Sequence, residues 1–188
     1  MRVTAVQSDA DRRRRFEGVV AAVYEPVQRY LRRRTDPATA DDVLGDVLLV
    51  LWRRLDDVPA ELPLPYAYGV ARGCLANSRR SAVRQERVVQ RLAQQHRPGD
   101  DADDDDGDDD AALAEALEAL PDADRELLRL WAWEQLAPRE LALVLGISAN
   151  AVSIRLHRAK QKLRDVVAAR KDDDPSGQNQ ARRGGGAR

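Results

Sequence analysis

The side chains best placed to do chemistry lie in one run from Pro138 to Arg164, which reads PRELALVLGISANAVSIRLHRAKQKLR. A short segment with Leu141, Ala142 and Leu145 turned inward ends at Gly146, where glycine tolerates the positive φ that a tight turn demands. Ile147 then serves as a plug and Ser148 as the cap of a second helix. In that helix Val152, Leu156, Ala159 and Leu163 recur at spacings of four, three and four, so they share a face. The opposite side carries Asn150, Ile154, His157, Gln161 and Arg164, with Arg155, Arg158, Lys160 and Lys162 on the flanks, and only Asp165 opposes this basic set. Two helices joined by such a turn cross steeply, and Ala142 is small where they would touch. A helix that is polar early and basic late suits the major groove of DNA, with the early residues, Ser153 among them, at base edges and the basic ones on phosphates.

Catalysis finds no comparable footing. The two histidines, His96 and His157, lie far apart, no phosphate-cradling glycine loop precedes a helix, and no Cys/His cluster has metal-ligand spacing. Ser148 and Ser153 are better explained as a cap and a groove residue than as nucleophiles. No catalytic residue, cofactor or metal is therefore expected. The lone Cys74 excludes an intramolecular disulfide, suits a reducing compartment, and sits in an apolar helical stretch as a plain core thiol. No apolar run approaches membrane-spanning length and the first fifteen residues have no signal-peptide pattern, so the expected location is the cytoplasm.

The elements that must position these side chains are helices. With 43% hydrophobic but only 4% aromatic residues, the chain can bury Leu, Val and Ala along helices, whereas sheets want more aromatic and β-branched residues. The expected class is all-α, as two small helical domains joined by an acidic flexible linker. A first helix spans about Asp11 to Arg34, with a kink expected near Glu25 because Pro26 interrupts it. A second starts after Thr39 as its cap, with Asp41 and Asp42 in its first turn. A loop from Asp56 to Pro65 feeds a third helix from about Tyr66 into the Gln90s, whose later part bristles with Arg79, Arg80, Arg84, Arg87 and Arg91. Four further segments follow, at about Ala111–Ala119, Asp122–Glu134, Pro138–Leu145 and Ser148–Ala169.

The net charge of −1 conceals segregation. Residues 11–97 hold seventeen arginines against eleven acids, while nine aspartates crowd between Asp100 and Asp110. A partner feels those regional charges, not the sum. The aspartate run cannot bury enough apolar surface to offset its ordering entropy, so it reads as a linker. The expected divisions are a flexible 1–10, a first domain over 11–96, the linker at 97–110, a second domain over 111–170, and a flexible, low-complexity tail over 171–188.

Over roughly residues 11 to 168 the chain resembles the extracytoplasmic-function class of the sigma-70 family. Leu117 to Arg164 looks like that family's region four, which reads the minus-35 promoter element, and Phe16 to Arg80 looks like region two, which binds the polymerase clamp and melts the minus-ten element. Ala40-Asp41-Asp42-Val43 through Asp46-Val47, then Trp52-Arg53-Arg54-Leu55, resembles the clamp-binding helix, which implies core-polymerase contacts for Asp41, Asp42 and Asp46. Tyr66 to Arg72, YAYGVAR, is similar to the family's Trp-Leu-Tyr-Arg-Ile-Ala-Arg stretch. The resemblance places a base-capturing pocket in the loop about Asp56 to Pro65, and the strand backbone along Arg72, Asn77, Arg79, Arg80 and Arg84. Tyr66 could stack a flipped base, or it and Tyr68 could be core aromatics. For the minus-35 element the implied residues are Arg139, Ser148, Asn150, Ser153, Arg155, His157, Arg158 and Lys160.

The implied function is promoter recognition on behalf of core RNA polymerase, with promoter DNA and an anti-sigma factor as further partners. The acidic linker would either mimic nucleic acid in a basic channel of the polymerase or act as a spacer. The sequence departs from the family at Gly45, Gly73, Asn77, Ala137, Pro138, Ser153 and Ile154, and none of these breaks the spacing. A stand-alone helix-turn-helix regulator that binds duplex DNA without polymerase is the alternative.

Overall fold

The computed structural model describes residues 9–92 and 108–173, with side chains over 9–84 and 113–169. Among them are seven α-helices: α1 (Asp9–Arg32), α2 (Pro37–Arg53), α3 (Pro63–Leu92), α4 (Asp108–Glu118), α5 (Asp122–Ala132), α6 (Pro138–Leu145) and α7 (Ala149–Asp173), with a 3₁₀ turn at Leu55–Asp57. The expected all-α class is what is observed. The helices fall into two compact units, one holding α1, α2, α3 and α6 and the other α4, α5 and α7. The nine-aspartate run lies outside the described residues as far as 107, and α4 starts at Asp108, inside the segment expected to link two domains. Acids at a helix start are favoured by the macrodipole, which lets the end of such a run be helical.

In the first unit α1, α2 and α3 pack pairwise. Val23, Val27, Tyr30 and Leu31 of α1, Val43, Val47 and Leu51 of α2, and Ala67, Tyr68, Ala71 and Leu75 of α3 are buried between them. The Tyr30 and Tyr68 rings meet at 5.2 Å, so Tyr68 is a core residue. Helix α1 continues through Pro26, where a kink was expected. The carbonyl of Ala22 loses its donor there, and Ala22 is exposed, so water can replace it.

The start of α2 differs from the expectation. Its cap is Asp36, whose Oδ1 accepts the Thr39 N–H at 3.0 Å, and Pro37 opens the helix. Proline suits a first position because its missing N–H would have no partner there. Thr39 thus lies inside α2, and Asp41 and Asp42 fall beyond the first turn. The Thr39 N–H and hydroxyl hold the Asp36 carboxyl below its ordinary value, so this cap persists at neutral pH and weakens only as pH falls through that lowered value.

Helix α6 joins the first unit by lying on α3. Gly69 marks the close approach, since a Cβ there would sit 3.6 Å from the Val144 backbone. Gly146 ends α6 at φ 66°, and its N–H and that of Ile147 both turn back to the Ala142 carbonyl. Only glycine takes that conformation cheaply, as expected from the sequence. At the other end, the Glu140 carboxylate accepts the Ala137 N–H at 2.7 Å, giving half of a capping box although Ala137 has no capping side chain.

In the second unit Ala116, Leu117, Leu120, Leu127, Leu128, Leu130, Val152, Leu156 and Ala159 are buried. Glu118 of α4 accepts both Arg125 and Arg129 of α5, and Lys162 of α7 pairs with Asp124 of α5. Lys162 and Glu118 remain more than half exposed, so these pairs orient the helices more than they stabilise them.

Candidate nucleic-acid interface

Two helices present basic faces. On α3, Tyr66, Asn77, Arg80 and Arg84 share one side by helical spacing, whereas Arg72 and Arg79 lie about a third of a turn away, at the edge of the buried stripe. Arg72, Asn77, Arg79, Arg80 and Arg84 are all exposed, and Tyr66 is half-buried. Arg80 donates to the Asn77 side-chain oxygen at 2.8 Å and to the Ala76 carbonyl at 3.1 Å, and Arg84 donates to the Arg80 carbonyl at 3.3 Å. Those contacts lay the guanidiniums along the helix as a row. Arg79 instead reaches the turn just past α1, donating to the Arg34 carbonyl at 2.7 Å. The face carries a half-covered ring near its start and cations about four turns further along, groups able to stack a base and to pair with phosphates further down a strand.

On α7 the buried stripe of Val152, Leu156 and Ala159 turns Asn150, Ser153, Ile154, His157, Arg158, Gln161 and Arg164 outward. Arg155 is also exposed, on the side toward Lys162. Arg164 donates to Gln161 at 2.8 Å and Gln161 donates to Asp165 at 2.9 Å, so the far end of the helix holds a surface chain of hydrogen bonds. Lys160 departs from its companions. Its Nζ lies 3.3 Å from the ring centroid of Trp131 on α5, a cation–π contact that turns it away from the outward face. Ser148 is exposed just before α7, and Arg139 is exposed on α6, in the first unit.

The acids Asp41, Asp42 and Asp46 are exposed on α2. Asp41 faces Arg32 of α1 at 3.6 Å. Asp42 and Asp46 have no ion-pair partner among the described residues. Leu49, 44% exposed, continues their side of α2, a feature that sequence reasoning missed. Its register supplied the signal, since it lies one helical turn past Asp46 and off the apolar stripe. Trp131 and Trp133, 40% and 41% exposed, were missed in the same way.

Cys74 is half-buried on α3. Burial pushes its thiol up from the ordinary value, and the Asp46 carboxylate adds to the effect. Less thiolate at a given pH means slower alkylation. Iodoacetamide at pH 8 should label Cys74 in the folded chain severalfold more slowly than in the urea-unfolded chain. Equal rates would contradict this placement.

Comparison with known proteins gives consistent likenesses. The family described as sigma-70, region 4 matches residues 110–163. The RNA polymerase sigma-E factor of Streptomyces coelicolor is 31% identical over 158 residues, covering 82% of this chain and 87% of that protein. The ECF RNA polymerase sigma factor SigD of Mycobacterium bovis is 30% identical over 165 residues, covering 82% and 77%. Among solved structures, CnrH in complex with the cytosolic domain of CnrY matches with a TM-score of 0.56 and 25% identity, over 86% of this chain and 90% of that one.

Proposed function

This chain belongs to the sigma-70 family of RNA polymerase sigma factors, in its extracytoplasmic-function group, and from that premise we propose how its parts divide the work. It binds core RNA polymerase and directs promoter recognition and transcription initiation. In our reading residues 11–96 hold the polymerase clamp and the minus-ten element, residues 111–170 read the minus-35 element, and 97–110 tether them. Asp42 and Asp46, with Leu49 beside them, meet the polymerase, and Asp41 contributes at their edge. Tyr66 receives an unstacked base from the loop preceding α3, while Arg72, Asn77, Arg79, Arg80 and Arg84 follow the strand. Asn150, Ser153 and His157 lie at base edges, and Arg139, Ser148, Arg155 and Arg158 hold phosphates. Lys160 serves the Trp131 contact first and phosphate second. The protein acts in the cytoplasm, catalyses no reaction of its own, and accepts an anti-sigma partner. The observation that carries this reading is the occurrence, in one chain, of two basic helical faces with different chemistry: a ring at the start of α3 with arginines further along the same face, and polar residues followed by cations on α7.

Run-off transcription with purified core polymerase and a promoter library tests it. Start sites should appear only when the chain is added. Arg80→Ala should leave polymerase binding intact and slow promoter opening, lowering the salt slope of strand capture by about 0.7 as one single-strand phosphate contact is lost. Absence of any chain-dependent start would defeat the reading. Tight, specific duplex binding without polymerase would favour the stand-alone regulator.

A further inference from the structure

The loop that feeds α3 is held from a distance by two arginines of α1. Arg12 Nη2 donates to the Trp52 carbonyl at 2.9 Å, and its Nη1 lies 3.3 Å from Asp56 Oδ2. Arg15 Nη2 donates to the Val58 carbonyl at 3.3 Å, and its Nη1 lies 3.5 Å from Asp56 Oδ1. Trp52 belongs to the last turn of α2, where carbonyls have no donor within the helix, so Arg12 supplies one. The Arg12 guanidinium is itself held by an aromatic pair. Arg12 lies over the Trp52 ring at 5.2 Å, and Phe16, one turn further along α1, meets that ring edge-on at 5.1 Å.

Beneath these polar contacts Leu55 and Val58 are buried and anchor the same stretch from inside. The order then runs forward along the chain. The Leu62 N–H reaches the Pro59 carbonyl, and the Tyr66 N–H reaches the Leu62 carbonyl, so the segment gripped at Asp56 and Val58 leads by hydrogen bonds to the ring at the start of α3.

We propose that Arg12 and Arg15 are positioning residues for base capture: by clamping Trp52, Asp56 and Val58 they preset the loop that receives the unstacked minus-ten base. Neither arginine needs to touch DNA. A loop held in its receiving shape loses no further freedom when the base arrives, so the clamp sharpens both affinity and discrimination. The geometry argues against simple charge attraction, because Arg12 and Arg15 spend their donors on this chain, whereas Arg13 is exposed and Arg14, among the described residues, pairs locally with Asp11. The inference rests on the proposed role of the loop.

The test uses the reconstituted holoenzyme and single-stranded oligonucleotides carrying the minus-ten element or single-base variants of it. Arg12→Gln/Arg15→Gln should bind the cognate strand about tenfold more weakly and lose most of its preference over the variants, as expected when a preset conformation becomes a minor one. Its affinity for core polymerase should stay within about twofold, as expected if the docking surface is the exposed face of α2. Arg13→Gln/Arg14→Gln removes the same charge from the same turn and should change neither reading by more than about twofold, since long-range attraction is screened. Asp56→Ala, which breaks the loop side of the clamp and leaves both arginines, should lose discrimination in part and covers the case in which the double variant folds poorly. Discrimination retained in both clamp variants, or lost equally in the Arg13/Arg14 control, would overturn the proposal while leaving base capture standing. A parent holoenzyme without preference among strands would instead overturn the base-capture reading, and the proposal with it.

Discussion

Asp42→Arg/Asp46→Arg is expected to bind core polymerase about a hundredfold more weakly than the parent chain, at roughly tenfold per reversed charge. Both carboxylates stand exposed on α2, and neither has an ion-pair partner among the described residues, so reversal disturbs little within the unit. The thermal midpoint should therefore change little, which separates a lost interface from a lost fold. Asp41→Arg should cost less. Its carboxylate already faces Arg32 at 3.6 Å, so part of its charge is spent inside the chain. Leu49 beside the acids adds an apolar contact that salt does not screen. The deficit of the double variant should accordingly shrink, without vanishing, as ionic strength rises. Titration of labelled core polymerase at two salt concentrations measures this, and an affinity within twofold of the parent at low salt would remove α2 as the docking helix.

What the sequence disclosed was chiefly what is local. Gly146 announced its turn because one residue type meets a positive φ cheaply, and the stripes Val23–Leu31 and Val152–Ala159 announced their helices because burial repeats every three or four residues. The start of α2 was misread by a few residues through weighting Thr39 and the acids after it. Asp36 followed by Pro37 is the stronger start signal, since it joins a capping carboxylate to a first position without an N–H. Gln135 takes φ 54° between α5 and α6, and no glycine was there to mark it. The contacts that place the candidate sites were hidden for a different reason. Asp56 meets Arg12 and Arg15 more than forty residues away, and Lys160 meets Trp131 on another helix. Periodicity reports which face of a helix is buried, and it carries no record of which distant side chain a cation will choose. Hence the basic character of α3 and α7 was legible while the division of labour among their cations was not.

That division sets the last expectation, which compares Asn150→Ala with Arg158→Ala. Both residues are exposed on the outward side of α7, Asn150 at its beginning and Arg158 more than two turns further on. An amide can engage an adenine edge through two hydrogen bonds, so its removal should cost about 1–3 kcal/mol of discrimination at a single base pair of the upstream element. A guanidinium on phosphate carries no base information, so Arg158→Ala should weaken all promoter variants alike and reduce the salt slope by about 0.9. Neither substitution removes a buried atom, and binding of a single minus-ten strand should be unaffected in both. Binding of holoenzyme to a panel of upstream-element variants, measured at several salt concentrations, distinguishes the two behaviours. If Arg158→Ala relaxed the preference at one base pair while Asn150→Ala weakened every variant equally, the two ends of α7 would have exchanged roles, and the helix would enter the groove in the reverse orientation.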